Sequence, residues 1–198
     1  MAKQIGLYGG TFDPFHLGHL NMAIEIQEKK KLDEIWFCPA RNSPHKHQEP
    51  TAPVEHRLKM IEKAIAAVPK MRVIDIESRR EGPSYTIDTL KMLIQQYPNE
   101  QFHLILGTDA VQGFSQWRSP QEIVRLVPLI IGNRRCEPAS NAHTEEPEIR
   151  VAIQQGYLQT SVMEISATEI RRRLRDGLFC GHLLPKEVLD YIKAFQLY

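Results

Sequence analysis

Apolar and polar positions along the chain follow two alternating periods. Residues 4–8 set Ile5 and Leu7 between smaller or polar neighbours, as a first strand does, and residues 21–31 carry apolar side chains at helical intervals. Residues 34–39 (Glu-Ile-Trp-Phe-Cys-Pro) read as a second strand stopped by Pro39. Within residues 53–68, Val54, Leu58, Ile61 and Ile65 recur at spacings of three or four, which predicts a helix with one buried face. Residues 71–77 alternate and predict a third strand. A helix follows over about 86–97, with Asp88 in its first turn, where a carboxylate complements the helix dipole.

Residues 101–107 read as a fully buried strand ending in Gly107-Thr108-Asp109. Ser119-Pro120-Gln121-Glu122 has capping-box spacing with Pro at the first helical position, predicting a helix to about 126 and then a fifth strand over 128–132. Residues 40–52 and 133–147 read as long polar loops, the first functional in character and the second followed by a short helix. Residues 162–165 read as a last strand. Ser166-Ala167-Thr168-Glu169 opens a helix that Gly177 ends, and Pro185 starts the terminal one.

Strands alternating with helices, without an internal repeat, predict an α/β fold: a Rossmann-like, doubly wound parallel sheet with helices on both faces and a small C-terminal helical part over about 166–198. The 198 residues suit one domain with a sufficient core. In such sheets ligands bind outside the carboxyl ends of the strands. Residues 9–19, 107–109 and 166–171 all follow predicted strands and are expected to converge on one cleft.

Composition narrows the ligand. With 25 Lys+Arg against 24 Asp+Glu the net charge is +1, which argues against a nucleic-acid carrier and for a small anionic ligand met by a few local cations. The run Arg171, Arg172, Arg173 and Arg175 reads as a largely solvated face in which Arg171 alone is a site candidate. Cys38, Cys136 and Cys180 are far apart and lack metal or redox spacing. No apolar stretch suits a membrane span or secretory signal, so a cytoplasmic location without membrane contact is expected. A homo-oligomer is left open.

The densest chemistry lies in residues 9–19, Gly-Gly-Thr-Phe-Asp-Pro-Phe-His-Leu-Gly-His. Neither a Walker P-loop nor a dinucleotide fingerprint is present, since both spacings are missing. Two glycines before a helix start, and two imidazoles on one turn, predict an anion cradle. Taken alone, His16 and His19 also fit a metal pair or ordinary surface histidines. By the same measure Lys46 fits a solvated loop lysine, Trp117 a core residue, and Asp109 a helix cap.

His16-Leu17-Gly18-His19 resembles the His-x-Gly-His element of a nucleotidyltransferase superfamily, and the longer motif looks like that of the bacterial nicotinate-mononucleotide adenylyltransferases. The likeness extends over nearly the whole chain, through Ser43-Pro44-His45-Lys46, residues 84–90 (Ser-Tyr-Thr-Ile-Asp-Thr-Leu), Gly107-Thr108-Asp109 with Trp117, and residues 165–171 (Ile-Ser-Ala-Thr-Glu-Ile-Arg). It also takes in Leu184-Pro185 with Val188, Tyr191 and Ile192.

This resemblance implies transfer of AMP from ATP to the 5′-phosphate of nicotinate mononucleotide, by direct in-line attack without a covalent intermediate. It implies His16, His19, Lys46 and Arg171 as catalytic residues. ATP would also meet Gly9, Gly10, Thr11, Phe12, Gly18, Gly107, Asp109, Ile165, Ser166 and Thr168. Nicotinate mononucleotide would meet Lys46, Tyr85, Thr86, Asp109 and Trp117. Mg²⁺ is implied with ATP, held mainly by phosphates and water rather than by a protein metal site. Three departures stand out: Thr108 where small residues or Gly are usual, Gly113 where relatives can carry an aromatic, and Arg134-Arg135-Cys136 in place of Arg-Pro-Gly. Rival readings are another small-molecule adenylyltransferase, for phosphopantetheine or nicotinamide mononucleotide, and a non-catalytic nucleotide sensor.

Overall fold

The computed structural model describes residues 2–42, 52–133 and 146–198. Six strands, β1 (Gln4–Gly10), β2 (Glu34–Pro39), β3 (Met71–Val73), β4 (Gln101–Gly107), β5 (Leu129–Gly132) and β6 (Tyr157–Leu158), pair in parallel. Their order is β3-β2-β1-β4-β5-β6. The chain therefore starts in the middle of the sheet, winds to one edge, returns to the middle and winds to the other, as a doubly wound fold does.

Strand alternation divides the core into two layers. In β2, Ile35 and Phe37 enter one layer while Trp36 and Cys38 enter the other. In β1, Tyr8 joins the first layer and Ile5 and Leu7 the second. Helices α1 (Leu17–Lys30), α2 (Val54–Ile65), α7 (Ala167–Arg175) and α8 (Lys186–Ala194) cover the first layer with Met22, Ile26, Met60, Ile61, Ile170, Val188 and Ile192. Helices α3 (Thr86–Gln96), α5 (Pro120–Leu126) and α6 (Pro147–Gly156), with the short α4 (Thr108–Val111), cover the second with Ile87, Leu90, Val111, Ile123 and Ile149. Each of the larger side chains contributes about 1.5–3 kcal/mol by leaving water. Gly6 keeps β1 bare at its centre: a Cβ there would lie 2.6 Å from Ile105 Cδ1 and 2.8 Å from Ile35 Cδ1.

Five expectations need correction. The third strand stops at Val73 because the next rung is missing: Ile74 N still donates to Phe37 O at 2.9 Å, but the residue that would donate back is Pro39, which has no amide proton. Ser78 Oγ (2.7 Å) and the Arg79 amide (3.2 Å) then donate to Asp75 O, closing a turn that carries Glu77 inward. The sixth strand is Tyr157–Leu158, where β5 still has pairing groups, and residues 162–165 are not strand. That later segment is tied by side chains instead, with the Ser161 amide on the Glu25 carboxylate at 3.0 and 3.1 Å.

Helix α1 starts at Leu17, earlier than residue 21, because His16 caps it. The Ser119 capping box does not form: Ser119 sits at φ 53°, ψ 54°, whereas a capping side chain works from extended backbone. The second box forms in half. Ser166 Oγ accepts the Glu169 amide at 3.5 Å, but the Glu169 carboxylate turns to Arg172 at 2.7 and 2.8 Å.

Candidate functional site

Strand order reverses between β1 and β4, and their carboxyl ends, Gly9-Gly10 and Gly107, lie side by side. The two glycines of β1 differ. A Cβ at Gly9 would meet nothing within 4 Å, so its backbone faces open space, whereas one at Gly10 would press on the Phe12 ring at 2.9 Å. Phe12 itself is buried at φ 52°, a left-handed conformation that costs about 1–2 kcal/mol outside glycine. Its ring is held among Tyr8, Phe15, Phe37 and His19, with centroids 5.0–5.9 Å away.

His16 caps α1, fully buried, and His19 sits one turn on. The rings stack with centroids 3.6 Å apart and planes inclined by 25°. His16 N donates to His19 Nδ1 at 3.2 Å. A neutral His19 that accepts at Nδ1 carries its proton on Nε2, so it is built as an Nε2–H donor. Gly18 has a steric reason: a Cβ would lie 3.2 Å from both His16 Nδ1 and the Met163 carbonyl oxygen. The first amide of α1 is already committed, since Leu17 N donates to Leu183 O at 3.0 Å.

Beneath this turn lies a charged network that pattern reading missed. Arg57 of α2, 1% exposed, donates from Nε to Ala52 O (3.0 Å), from Nη1 to Thr11 O and Ala40 O (both 2.7 Å), and from Nη2 to Arg41 O (3.3 Å). These bonds all go to carbonyl oxygens, and their convergence on the fork is what makes the buried charge tolerable. Burial lowers the Arg57 pKa and nearby Asp13 opposes that. A signal did exist: Arg57 falls three residues after Val54 and four before Ile61, on the apolar face of its helix.

Asp13, 4% exposed, accepts the Ala52 amide at 3.2 Å and the Tyr198 hydroxyl at 2.6 Å on the same oxygen. Arg171 Nη1 donates to Asp13 O at 2.6 Å and lies 3.7 Å from Oδ2, while Nη2 donates to Thr168 Oγ1 at 3.4 Å. These bonds tie α7, with Ser166 and Thr168 exposed at its start, to the turn after β1. Ile165 packs half-buried on the same apolar layer.

The remaining candidates lie on the side of the second layer. Tyr85 precedes α3 and Thr86 opens it; Asp109 is exposed in the first turn of α4. Trp117 is half-buried with its ring 5.2 Å from that of Phe114, so part of it serves the core. Arg118, another residue the pattern left out, lies 4.7 Å above the Tyr85 ring and 3.5 Å from Asp88. Behind them Glu77, 7% exposed, accepts Thr89 Oγ1 at 2.7 Å. Burial pushes the Glu77 carboxyl up, while hydrogen bonds from Thr89 and Ser84 oppose it. Burial and Glu77 together push the Cys38 thiol well up, so it is not a ready nucleophile.

Lys46, Arg134 and Arg135 lie outside the described residues. Among the described residues no three His, Cys, Asp or Glu side chains are grouped to hold a metal ion. No helix among them is long and apolar enough to cross a membrane.

A family model described as cytidylyltransferase-like matches residues 7–173. Over 196 residues the chain is 37% identical to the nicotinate-nucleotide adenylyltransferase of Bacillus subtilis, covering 99% of this chain and 98% of that one. It is 39% identical over 194 residues to a probable nicotinate-nucleotide adenylyltransferase of Salinibacter ruber, covering 98% and 97%. In fold it is similar to a Plasmodium falciparum nicotinic acid mononucleotide adenylyltransferase complexed with NaAD, at TM-score 0.76 and 23% identity, covering 99% and 97%.

Proposed function

The chain belongs to the nicotinate-nucleotide adenylyltransferases of the cytidylyltransferase-like family, and on that premise we propose that it transfers AMP from ATP to the 5′-phosphate of nicotinate mononucleotide, releasing pyrophosphate and forming deamido-NAD for NAD biosynthesis. The observation that carries this reading is the joining of the Gly9-to-His19 turn to α7 through Arg171 and Asp13, at the point where strand order reverses.

The attacking group is a phosphate, already anionic near neutral pH, so the site needs no general base. What opposes reaction is charge: a dianion must approach a polyphosphate in line. Gly9, Gly10, Thr11 and Phe12 lend backbone to the nucleotide, and the open space at Gly9 suits close approach. His19, donating from Nε2, and His16 beside it meet the reacting phosphate. Ser166, Thr168 and Arg171 take the departing phosphates at the start of α7, where the helix dipole favours anions. Lys46 supplies a further cation to the phosphates, and the described residues that flank its segment, Ala40, Arg41 and Ala52, are bound by Arg57. Gly107, Gly18 and Ile165 shape the same half.

For the pyridine nucleotide, Trp117 offers a ring face, Tyr85 and Asp109 flank it, and Asp109 takes a ribose hydroxyl. The backbone amides that open α3 at Thr86 suit the nicotinate carboxylate. Mg²⁺ fits on ligand oxygens and water, because the Asp13 carboxylate is engaged by Tyr198 and Ala52 and no second carboxylate shares α4 with Asp109. When bound it neutralises polyphosphate charge. Residues 1–198 act as one nucleotidyltransferase domain.

The test is pyrophosphate release from ATP, Mg²⁺ and a panel of acceptors. Deamido dinucleotide formation with nicotinate mononucleotide, at a kcat/KM well above that for nicotinamide mononucleotide or phosphopantetheine, supports the reading. Preference for either of the others, or ATP binding without turnover, overturns it.

A further inference from the structure

We propose that Tyr198 is a positioning residue for the phosphate side of the site, acting through Asp13 to set the guanidinium of Arg171. The two partners of its hydrogen bond are 185 positions apart and 2.6 Å from each other. Asp13 is a buried carboxylate beside the Arg171 guanidinium, whose Nη1 lies 3.7 Å from Oδ2. Left to itself, a carboxylate beside a guanidinium rotates into a two-pronged pair. Here the other oxygen is already committed to the Tyr198 hydroxyl and the Ala52 amide. Arg171 is thereby held by the Asp13 carbonyl through Nη1, at 2.6 Å, with Nη2 toward Thr168 at the start of α7.

The segment that delivers Tyr198 is bent for the purpose. Gln196 at φ 49° and Tyr198 at φ 78° both take left-handed backbone without being glycine, and such conformations persist where surrounding contacts over-determine them. Those contacts are the Leu197 amide on Ile192 O at 3.0 Å and the Tyr198 hydroxyl on Asp13. Burial and the Asp13 charge push the phenol's pKa up, so it stays a donor across the working range. Packing on the core alone would be served equally by phenylalanine; the hydroxyl is what reaches the site.

This proposal rests on Arg171 binding ATP phosphates. The experiment compares wild type, Tyr198→Phe, Arg171→Ala and the double variant, by ATP titration calorimetry, by steady-state kinetics with ATP and nicotinate mononucleotide, and by thermal unfolding. Tyr198→Phe is expected to lower kcat/KM for ATP and ATP affinity about tenfold with the KM for nicotinate mononucleotide unchanged. In the Arg171→Ala background the same change is expected to add nothing further. ATP affinity within about twofold of wild type, equal losses for both substrates, or losses that multiply with those of Arg171→Ala would overturn it. A wild type that binds ATP but makes no deamido dinucleotide refutes the acceptor reading above, and leaves the calorimetric arm to decide this one.

Discussion

The amide of His16 donates to Nδ1 of His19 at 3.2 Å while the two rings stack 3.6 Å apart, so each histidine sets the other's place. The two ends of the His19 ring can therefore be separated by substitution. Asparagine places an acceptor near Nδ1 and nothing near Nε2; glutamine reaches toward Nε2 and gives up the cap. His19→Asn should hold its melting temperature yet lose turnover by about 10²–10³-fold. His19→Gln should lose about 1 kcal/mol of stability while keeping more turnover. Equal effects of the two on both measurements would deny the division of labour.

Neighbouring glycines should part company. Gly9→Ala meets no protein atom and gains up to about 0.5–1 kcal/mol in strand propensity, but it fills space the nucleotide needs. Its melting temperature should hold or rise while KM for ATP rises about tenfold. Gly10→Ala strikes the Phe12 ring and should destabilise by about 1–3 kcal/mol. Denaturant unfolding and ATP kinetics on the pair check both arms.

Arg57→Met keeps much of the volume and removes every donor, leaving carbonyls at Thr11, Ala40, Arg41 and Ala52 unanswered. A cost of about 2–4 kcal/mol is expected. Arg57→Lys should recover only part of it, since an ammonium cannot reproduce the fork. Chemical denaturation measures both.

Two carboxylates give opposite pH responses. Hydrogen bonds from Lys29 and Ser161 lower the Glu25 pKa from 4.5 to about 2, so its contribution is full above about 4.5 and is lost as pH falls toward 2. Glu25→Gln should flatten the stability profile in that window. Glu77 is raised by burial, so the folded state holds its proton more tightly than the unfolded chain does. Its contribution is greatest below the unfolded pKa and declines as pH rises through the folded one. Glu77→Gln keeps an acceptor for Thr89 Oγ1, and at neutral pH it should match or exceed wild-type stability. Unfolding free energies across the pH range check both signs.

Strands β2 and β4 were legible to the residue, because a strand apolar on both faces and closed by Pro39 or Gly107 leaves few alternatives. Ser166 was legible as a cap for the same local reason. Signals that depend on a neighbour's length were not: the alternation of residues 71–77 outlasts β2, and residues 162–165 pair with none of the six described strands. Ser119 carries a correct local pattern that tertiary packing overrides by turning its backbone left-handed. In the site, the glycines and histidines announce themselves by spacing. Asp13, Arg57 and Tyr198 meet only when α2 and the residues after α8 pack against the turn, and no local pattern encodes that meeting.

The bonds of Arg57 and Asp13 to Ala40, Arg41 and Ala52, with Ser84 Oγ accepting the Arg41 amide at 3.1 Å and the Ser84 amide donating to Asn42 O at 2.9 Å, fasten both ends of residues 43–51 to the frame. The frame on either side therefore carries its own anchors. The entropy of closing a chain between two fixed points depends weakly on its length, a doubling costing only about 0.6 kcal/mol. Insertions between Asn42 and Ala52 should therefore leave the sheet that carries the rest of the site undisturbed.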